Sequence, residues 1–269
     1  MRCNEKFNLR ATQAQLLEAR IAENVAAQEV DLVKWIFERM AVTPGAEILE
    51  LCCGTGAQTI RLLDLVGPTG CVVGVDISRE ALESLTSKAD AAQSSRLTLL
   101  EANLDELTQA LEKSHLQPPY FDLVFCAYGL YYATDSEKIL EEAKRWLKSN
   151  GRIVIVGPFD RNNGPLFDLL AKSDVGIPAY VKFTSQEFLH EKVLRWAARN
   201  FQSVRINTVV NRIRWNSPEK VLNYWKNSTF YDVEKQSAVE IQLIGHFRNH
   251  PEFINEKWIM MVEMANART

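Results

Sequence analysis

Five times between Ala46 and Gly157 a short apolar run is followed or preceded by a helix-forming segment, with only brief turns between them. The runs are AEILELCC, CVVGVD, RLTLLEAN, YFDLVFCAYGL and RIVIVG, and the helical stretches between them include TIRLLDLV, SREALESLTSKADAAQ and SEKILEEAKRWLKSN. Strands joined through helices are parallel, and runs that are apolar throughout are strands covered on both faces. The pattern predicts an α/β fold with a mostly parallel sheet. Gly151, after the last of these helices, stands where a helix stop belongs.

Outside this core the pattern loosens. Residues 11–40 carry apolar positions Leu17, Ile21, Val25, Val33, Ile36 and Phe37 at helical spacing, so one or two helices precede the first strand. After Pro158 comes an irregular, aromatic-containing insertion. TSQE at 184–187 has capping-box spacing and predicts a helix start, SVRINTVVNRIRW reads as a long strand, Ser217-Pro218 opens another helix, and EKWIMMVEMANA reads as a further strand. The expected organisation is a helical cap over 1–45, a core over 46–158, a cap insertion with its helix over 159–200, and final strands with an inserted helical element over 201–269.

Composition excludes several classes of function. A 269-residue chain that is 46% hydrophobic can bury a large core, and its formal net charge of −3 gives no reason to expect a phosphate backbone as partner. No apolar run approaches the roughly 18 residues of a membrane span, and the first residues lack a signal-peptide core. The expectation is a cytoplasmic protein, monomeric or homodimeric, without nucleic-acid or membrane partners. Five cysteines (Cys3, Cys52, Cys53, Cys71, Cys126) with no CxxC spacing, and four histidines, are poor material for zinc, so no metal site is expected.

ELCCGTG at residues 50–56 carries the chemistry. A strand that ends in a glycine loop and runs into a helix presents backbone N–H groups to a ligand, and Gly54 and Gly56 let it approach closely. Asp76 ends the next strand about 20 residues beyond Gly56, the spacing at which an acidic side chain meets ribose hydroxyls. The dinucleotide motif needs a third glycine, and Thr59 occupies that position. Glu50 is a poor neighbour for a pyrophosphate and a good one for an ammonium. A positively charged adenosine ligand satisfies both facts.

ILELCCGTG, VVGVDIS, EANLDEL, YFDLVFCAYGLYYATD and WLKSNGRIVIV together resemble, in order and spacing, the successive motifs of class I S-adenosylmethionine-dependent methyltransferases, small-molecule enzymes similar to the quinone-biosynthesis group among them. The resemblance implies a Rossmann-like seven-stranded sheet with an antiparallel last strand, helices on both faces and a helical cap. It implies that Glu50 meets the methionine amino group and that the backbone around Cys52, Gly54, Thr55 and Gly56 wraps the methionine portion. Asp76 would hold the ribose, Ile77 would pack on the adenine, Asn103 would bond its amine, and Leu104 and Ala127 would belong to the same cofactor site. Cys52 replaces the family's usual first glycine and Asn103 its common aspartate.

The acceptor side rests on fewer residues. Tyr128, Tyr131 and Tyr132 follow the fourth strand at its carboxyl end, where open parallel sheets bind ligands, and Tyr128 and Tyr132 are the candidates to orient or deprotonate an acceptor. His246 is a third catalytic candidate. The reading is methyl transfer to oxygen, nitrogen or carbon of a small, partly apolar metabolite, with two alternatives: an adenosylmethionine-binding enzyme of non-methylating chemistry, or a non-catalytic protein that keeps the fold.

Overall fold

The computed structural model describes residue 10 and residues 13–266; Cys3 lies outside them. In chain order its main elements are α1 (Ala14–Val25), α2 (Leu32–Arg39), β1 (Glu47–Leu51), α3 (Thr59–Val66), β2 (Cys71–Asp76), α4 (Arg79–Lys88), β3 (Leu97–Glu101), α5 (Leu107–Lys113), β4 (Phe121–Ala127), α6 (Ser136–Trp146), β5 (Leu147–Pro158), α7 (Gly164–Lys172), α8 (Arg195–Asn200), β6 (Ser203–Trp215), α9 (Pro218–Lys226), α10 (Gln236–Asn249) and β7 (Phe253–Ala265). The strands form one seven-stranded sheet in the order β3-β2-β1-β4-β5-β7-β6, parallel from β3 to β5, with β7 antiparallel.

The local chemistry explains the regular part. Ile48, Leu49 and Leu51 of β1 and Val124, Phe125 and Cys126 of β4 are fully buried, as strands between two helical layers must be. Helix α6 starts because the Asp135 side chain accepts from the Glu137 and Lys138 N–H groups, both at 3.1 Å. It buries Ile139, Leu140, Ala143 and Trp146 and carries Lys144 and Arg145 in its last turn, where the helix dipole favours cations. Because β2 and β3 lie on one side of β1 and β4 and β5 on the other, the chain reverses direction across the sheet at β1 and β4, and their carboxyl ends flank the crevice in which such sheets bind ligands.

The chain divides into two compact units. One comprises residues 33–157, 189–207 and 260–269, and contains most of the parallel sheet. The other comprises residues 1–32, 158–188 and 208–259, and has its own core of Leu166, Leu170, Trp215, Trp225, Val239 and Leu243. Among the described residues no helix is long and apolar enough to cross a membrane.

Four local expectations are corrected. Gly151 does not stop a helix: α6 ends at Trp146 and β5 begins at Leu147, because the chain turns extended at Leu147 to pair with Phe121. The insertion after Pro158 is not irregular throughout, since residues 164–172 form α7, with Pro165 in its first turn where the missing N–H costs nothing. Thr184 is no cap: the helical path starts after Pro178 and runs through wide π-type turns over 183–194, and the Thr184 hydroxyl bonds the Val181 carbonyl at 3.2 Å. The segment after β2 is two helices, because Asp90 and Gln93 form a capping box that begins a new turn at Ala91.

Within β5, a Cβ on Gly151 would lie 2.9 Å from the Phe121 carbonyl oxygen and 3.0 Å from that of Lys148, both backbone atoms. Gly151→Asn should therefore destabilise as much as Gly151→Ala, by about 2–3 kcal/mol in urea unfolding. A helix-ending glycine would instead accept asparagine at little cost, and that result would refute the strand assignment.

Candidate active site

The loop that leaves β1 alternates between ordinary and left-handed backbone, with Cys52 at φ 55°, Gly54 at 53° and Gly56 at 86°. Its position is fixed from β2. The Cys53 N–H bonds the Val75 carbonyl at 3.1 Å, and the Gly54 N–H donates to Asp76 Oδ2 at 2.8 Å. Asp76 Oδ1 accepts from the Ser78 N–H at 2.9 Å, while the Ser78 hydroxyl caps α4 by accepting from Ala81. Asp76 is thus no helix cap. Burial raises its pKa, opposed by the Ser78, Gly54 and Ile77 N–H groups.

Glu50 is the penultimate residue of β1, level with Gly74 of β2 on one side and Phe125 of β4 on the other. It is 2% exposed, and burial pushes its pKa up to about 8; the Thr59 side chain works against the shift and the Asp76 charge adds to it. Glu50 Oε2 is buried with no hydrogen-bond partner among the described residues. An unmet buried polar atom costs about 1–3 kcal/mol, and a ligand that donates to it would remove that cost.

The glycines do different work. A Cβ on Gly56 would sit 2.2 Å from Leu85 Cδ1, so Gly56 admits helix α4 to the loop as well as supplying a left-handed turn. Gly129, just after β4, would place a Cβ 2.2 Å from Cys52 Cβ and 2.5 Å from its Sγ. The Cys52 side chain takes the room that Gly129 leaves. Its thiol pKa is raised, first by its bond to Cys126 and then by burial, and burial likewise raises Cys53, which packs with Leu82 and Leu85. Both thiols stay protonated, which leaves them packing groups rather than nucleophiles.

The remaining sequence candidates in this unit line the same carboxyl edge. Ile77, just beyond the end of β2, is 52% exposed. Thr55 and Leu104 are buried, and the Thr55 carbonyl receives Lys88 Nζ at 3.0 Å. Asn103 Oδ1 accepts from the Asp105 N–H at 3.0 Å. Ala127 ends β4; Tyr128 beyond it adopts φ 59° and donates its N–H to the Val156 carbonyl at 2.8 Å. Tyr132 sits in a tight turn with its ring 4.7 Å from that of Tyr131. His246 belongs to the other unit, in α10, where a ring nitrogen meets the Glu252 carbonyl at 3.0 Å and the ring stacks on His250 at 4.7 Å.

Three participants escape sequence reasoning. Leu85 and Gly129 matter through contacts with residues far along the chain. Asp105 fastens the turn after β3 to the loop after β4, its Oδ1 accepting from the Thr134 N–H at 3.0 Å and its Oδ2 from the Thr134 hydroxyl at 2.5 Å. Asp105 is one of three acidic residues in EANLDEL, and nothing in the motif marks it as the one that makes that tie.

Residues 43–172 match the family model described as a methyltransferase domain. Those 130 residues, just under half of the 269, are similar in sequence to a methyltransferase domain. It is 37% identical over 119 residues to the demethylmenaquinone methyltransferase of Lactococcus lactis, covering 44% of each chain. It is 35% identical over 136 residues to the 2-phytyl-1,4-naphtoquinone methyltransferase of Trichormus variabilis, covering 50% of this chain and 54% of that one. The chain spans about half the length of the curated relatives it matches. Among solved structures, the YcgJ protein of Bacillus subtilis superposes with a TM-score of 0.55 at 12% identity over 88% of this chain and 98% of that one. An arsenic(III) S-adenosylmethionine methyltransferase from Chlamydomonas reinhardtii gives 0.53 at 19% identity over 93% and 73%. At such identities these two establish the fold.

The cofactor of the methyltransferase domain is S-adenosylmethionine, and the residues present fit it. The orphaned Glu50 Oε2 is an acceptor for an ammonium, and Asp76 retains acceptor capacity for hydroxyls beyond its two backbone bonds.

Two tests arise from this geometry. Gly129 has φ −129°, which alanine adopts freely, so only Cys52 opposes a side chain there. Gly129→Ala should cost about 2–4 kcal/mol alone and at least about 1 kcal/mol less in a Cys52→Gly background; additive costs would break the assigned contact. Glu50 concerns pH. Its folded pKa of about 8 lies above the ordinary value of 4.5, so the carboxyl is neutral in both states well below pH 4.5 and its contribution is fully present there. As pH rises towards 8 the unfolded chain ionises while the folded one resists, and stability is lost. Glu50→Gln should therefore match wild type near pH 4 and be more stable by on the order of 2–4 kcal/mol at pH 8 in the absence of ligand. Parallel stability curves over that range would show that Glu50 does not titrate as assigned.

Proposed function

We propose that the protein transfers the methyl group of S-adenosylmethionine to a small, partly apolar acceptor, with a reduced quinone-type ring as the favoured class, and that it acts in the cytoplasm. The observation that carries cofactor binding, on which this reading rests, is the orphaned Glu50 Oε2 beside a loop that Asp76 holds in place. The acceptor class is supported by the named activities of the Lactococcus lactis and Trichormus variabilis relatives, matched over about half their length.

When bound, the sulfonium supplies a methyl group already activated for displacement. What the chain must add is alignment and exclusion of water more than strong acid or base chemistry. Glu50 would receive the ammonium and lose its own proton in doing so, since a nearby cation reverses the penalty of burial. Asp76 would accept the ribose hydroxyls. Ile77 would trade its exposed surface for contact with the adenine ring, and Asn103 would accept from the adenine amine through its remaining lone pair. Tyr128 and Tyr132 would orient the acceptor at the carboxyl end of β4.

Calorimetry with S-adenosylhomocysteine and NAD, followed by transfer of labelled methyl to 1,4-dihydroxynaphthalene with product analysis for the methylated atom, tests the reading. Binding of the adenosyl ligand and not of NAD is expected, weakened by about 1.5–3 kcal/mol in Asp76→Ala. NAD binding with no response to the adenosyl ligand would overturn the cofactor assignment; cofactor binding without labelled product would overturn the acceptor class.

A further inference from the structure

Two separate sets of hydrogen bonds join the chain after β3 to the chain after β4. Asn103, an exposed residue, opens the single turn Leu104–Glu106: its Oδ1 accepts from the Asp105 N–H at 3.0 Å and its carbonyl from the Glu106 N–H at 2.9 Å. A turn closed twice moves as one piece, so Asp105 follows Asn103. The Asp105 carboxylate in turn receives Thr134, whose N–H reaches Oδ1 at 3.0 Å and Oδ2 at 3.3 Å and whose hydroxyl reaches Oδ2 at 2.5 Å. Bonds to a carboxylate are the stronger kind. Just beyond, the Thr108 N–H and hydroxyl both donate to Glu142 Oε2, at 3.2 and 2.9 Å.

The two ties hold different things. Thr108 lies in α5 and Glu142 in α6, so the second clamps helix to helix. Thr134 precedes α6, in the loop that leaves β4 with Tyr128 and passes through the tight turn Leu130–Tyr132. That turn is closed by its own bonds, from the Tyr132 N–H to the Gly129 carbonyl at 3.0 Å and from the Ala133 N–H to the Leu130 carbonyl at 3.2 Å. Thr134 follows directly on it. Asp105 therefore grips the end of a preformed unit that carries Tyr131 and Tyr132, and with the helices clamped elsewhere its grip acts on the loop.

We propose that Asp105 is a positioning residue that couples the two sides of the site: a cofactor seated on Asn103 fixes the turn, and through Thr134 the turn orders the loop on the acceptor side. The tyrosines are then in place for the acceptor once the cofactor is bound. Linkage makes the effect reciprocal, so an acceptor that orders the loop tightens the cofactor. The coupling rests on S-adenosylmethionine occupying the site as proposed. A merely structural tie would steady the loop equally with and without ligand.

Hydrogen–deuterium exchange on the full chain with and without S-adenosylhomocysteine, after calorimetry has given the affinity of each variant, separates these roles. Residues 130–134 are the readout because they lie beyond Ala127, the proposed direct contact. In wild type the ligand should slow exchange at 103–108 and, by at least about fivefold, at 130–134. Asp105→Ala should still bind the ligand and keep the protection at 103–108 while losing that at 130–134. Thr134→Ser, which keeps both donors, should retain both, whereas Thr134→Val should weaken the second and serves if the alanine variant does not fold. Thr108→Val, which loosens the helix clamp instead, should lower the melting temperature and leave the protection at 130–134 in place. Protection confined to 103–108 in wild type, protection at 130–134 that survives both Asp105→Ala and Thr134→Val, or its equal loss in Thr108→Val would overturn the coupling and leave the cofactor assignment standing. Absence of ligand binding in wild type would overturn both.

Discussion

The bond from the Gly54 N–H to Asp76 Oδ2, 2.8 Å long, is the joint on which the active-site edge depends. It joins the loop after β1 to the end of β2, and through the contact of Cys52 with Gly129 the same loop is set against the chain leaving β4. Three strand ends that are remote in sequence are thereby held in one arrangement before any ligand arrives. A rigid frame of this kind suits a reaction in which alignment supplies most of the barrier reduction.

The frame carries an opposing cost at its centre. Glu50 is buried in β1 with an unmet oxygen, and its pKa of about 8 expresses how strongly burial resists its ionisation. Stability would be gained by an uncharged residue there, and under the proposed function ligand binding would be lost with it, a common exchange at functional sites.

Much of this was legible in the sequence because it is local. The strand, glycine loop and helix at 47–66 and the acid ending β2 are neighbours along the chain, and continuous apolar runs announced the buried parallel strands. What escaped was set by contact across distance. Nothing near Gly129 announces that Cys52 will fill its space, and nothing near Leu85 that it will press on Gly56. Gly151 misled because a glycine after a helix is a good stop signal, and only pairing with β4 turns the chain into a strand four residues sooner. The capping-box spacing at Thr184 misled likewise, since a helix already under way from residue 179 had no need of a start.

The sheet order has a consequence for how the molecule is assembled. β6 precedes β7 along the chain, yet β7 lies between β5 and β6. When β6 leaves the ribosome its neighbour in the sheet has not been made, and β5 still offers an open row of peptide groups on that side. Arrival of β7 closes both gaps at once. Until then the nascent chain presents two unsatisfied strand edges, the kind of surface on which misdirected pairing begins.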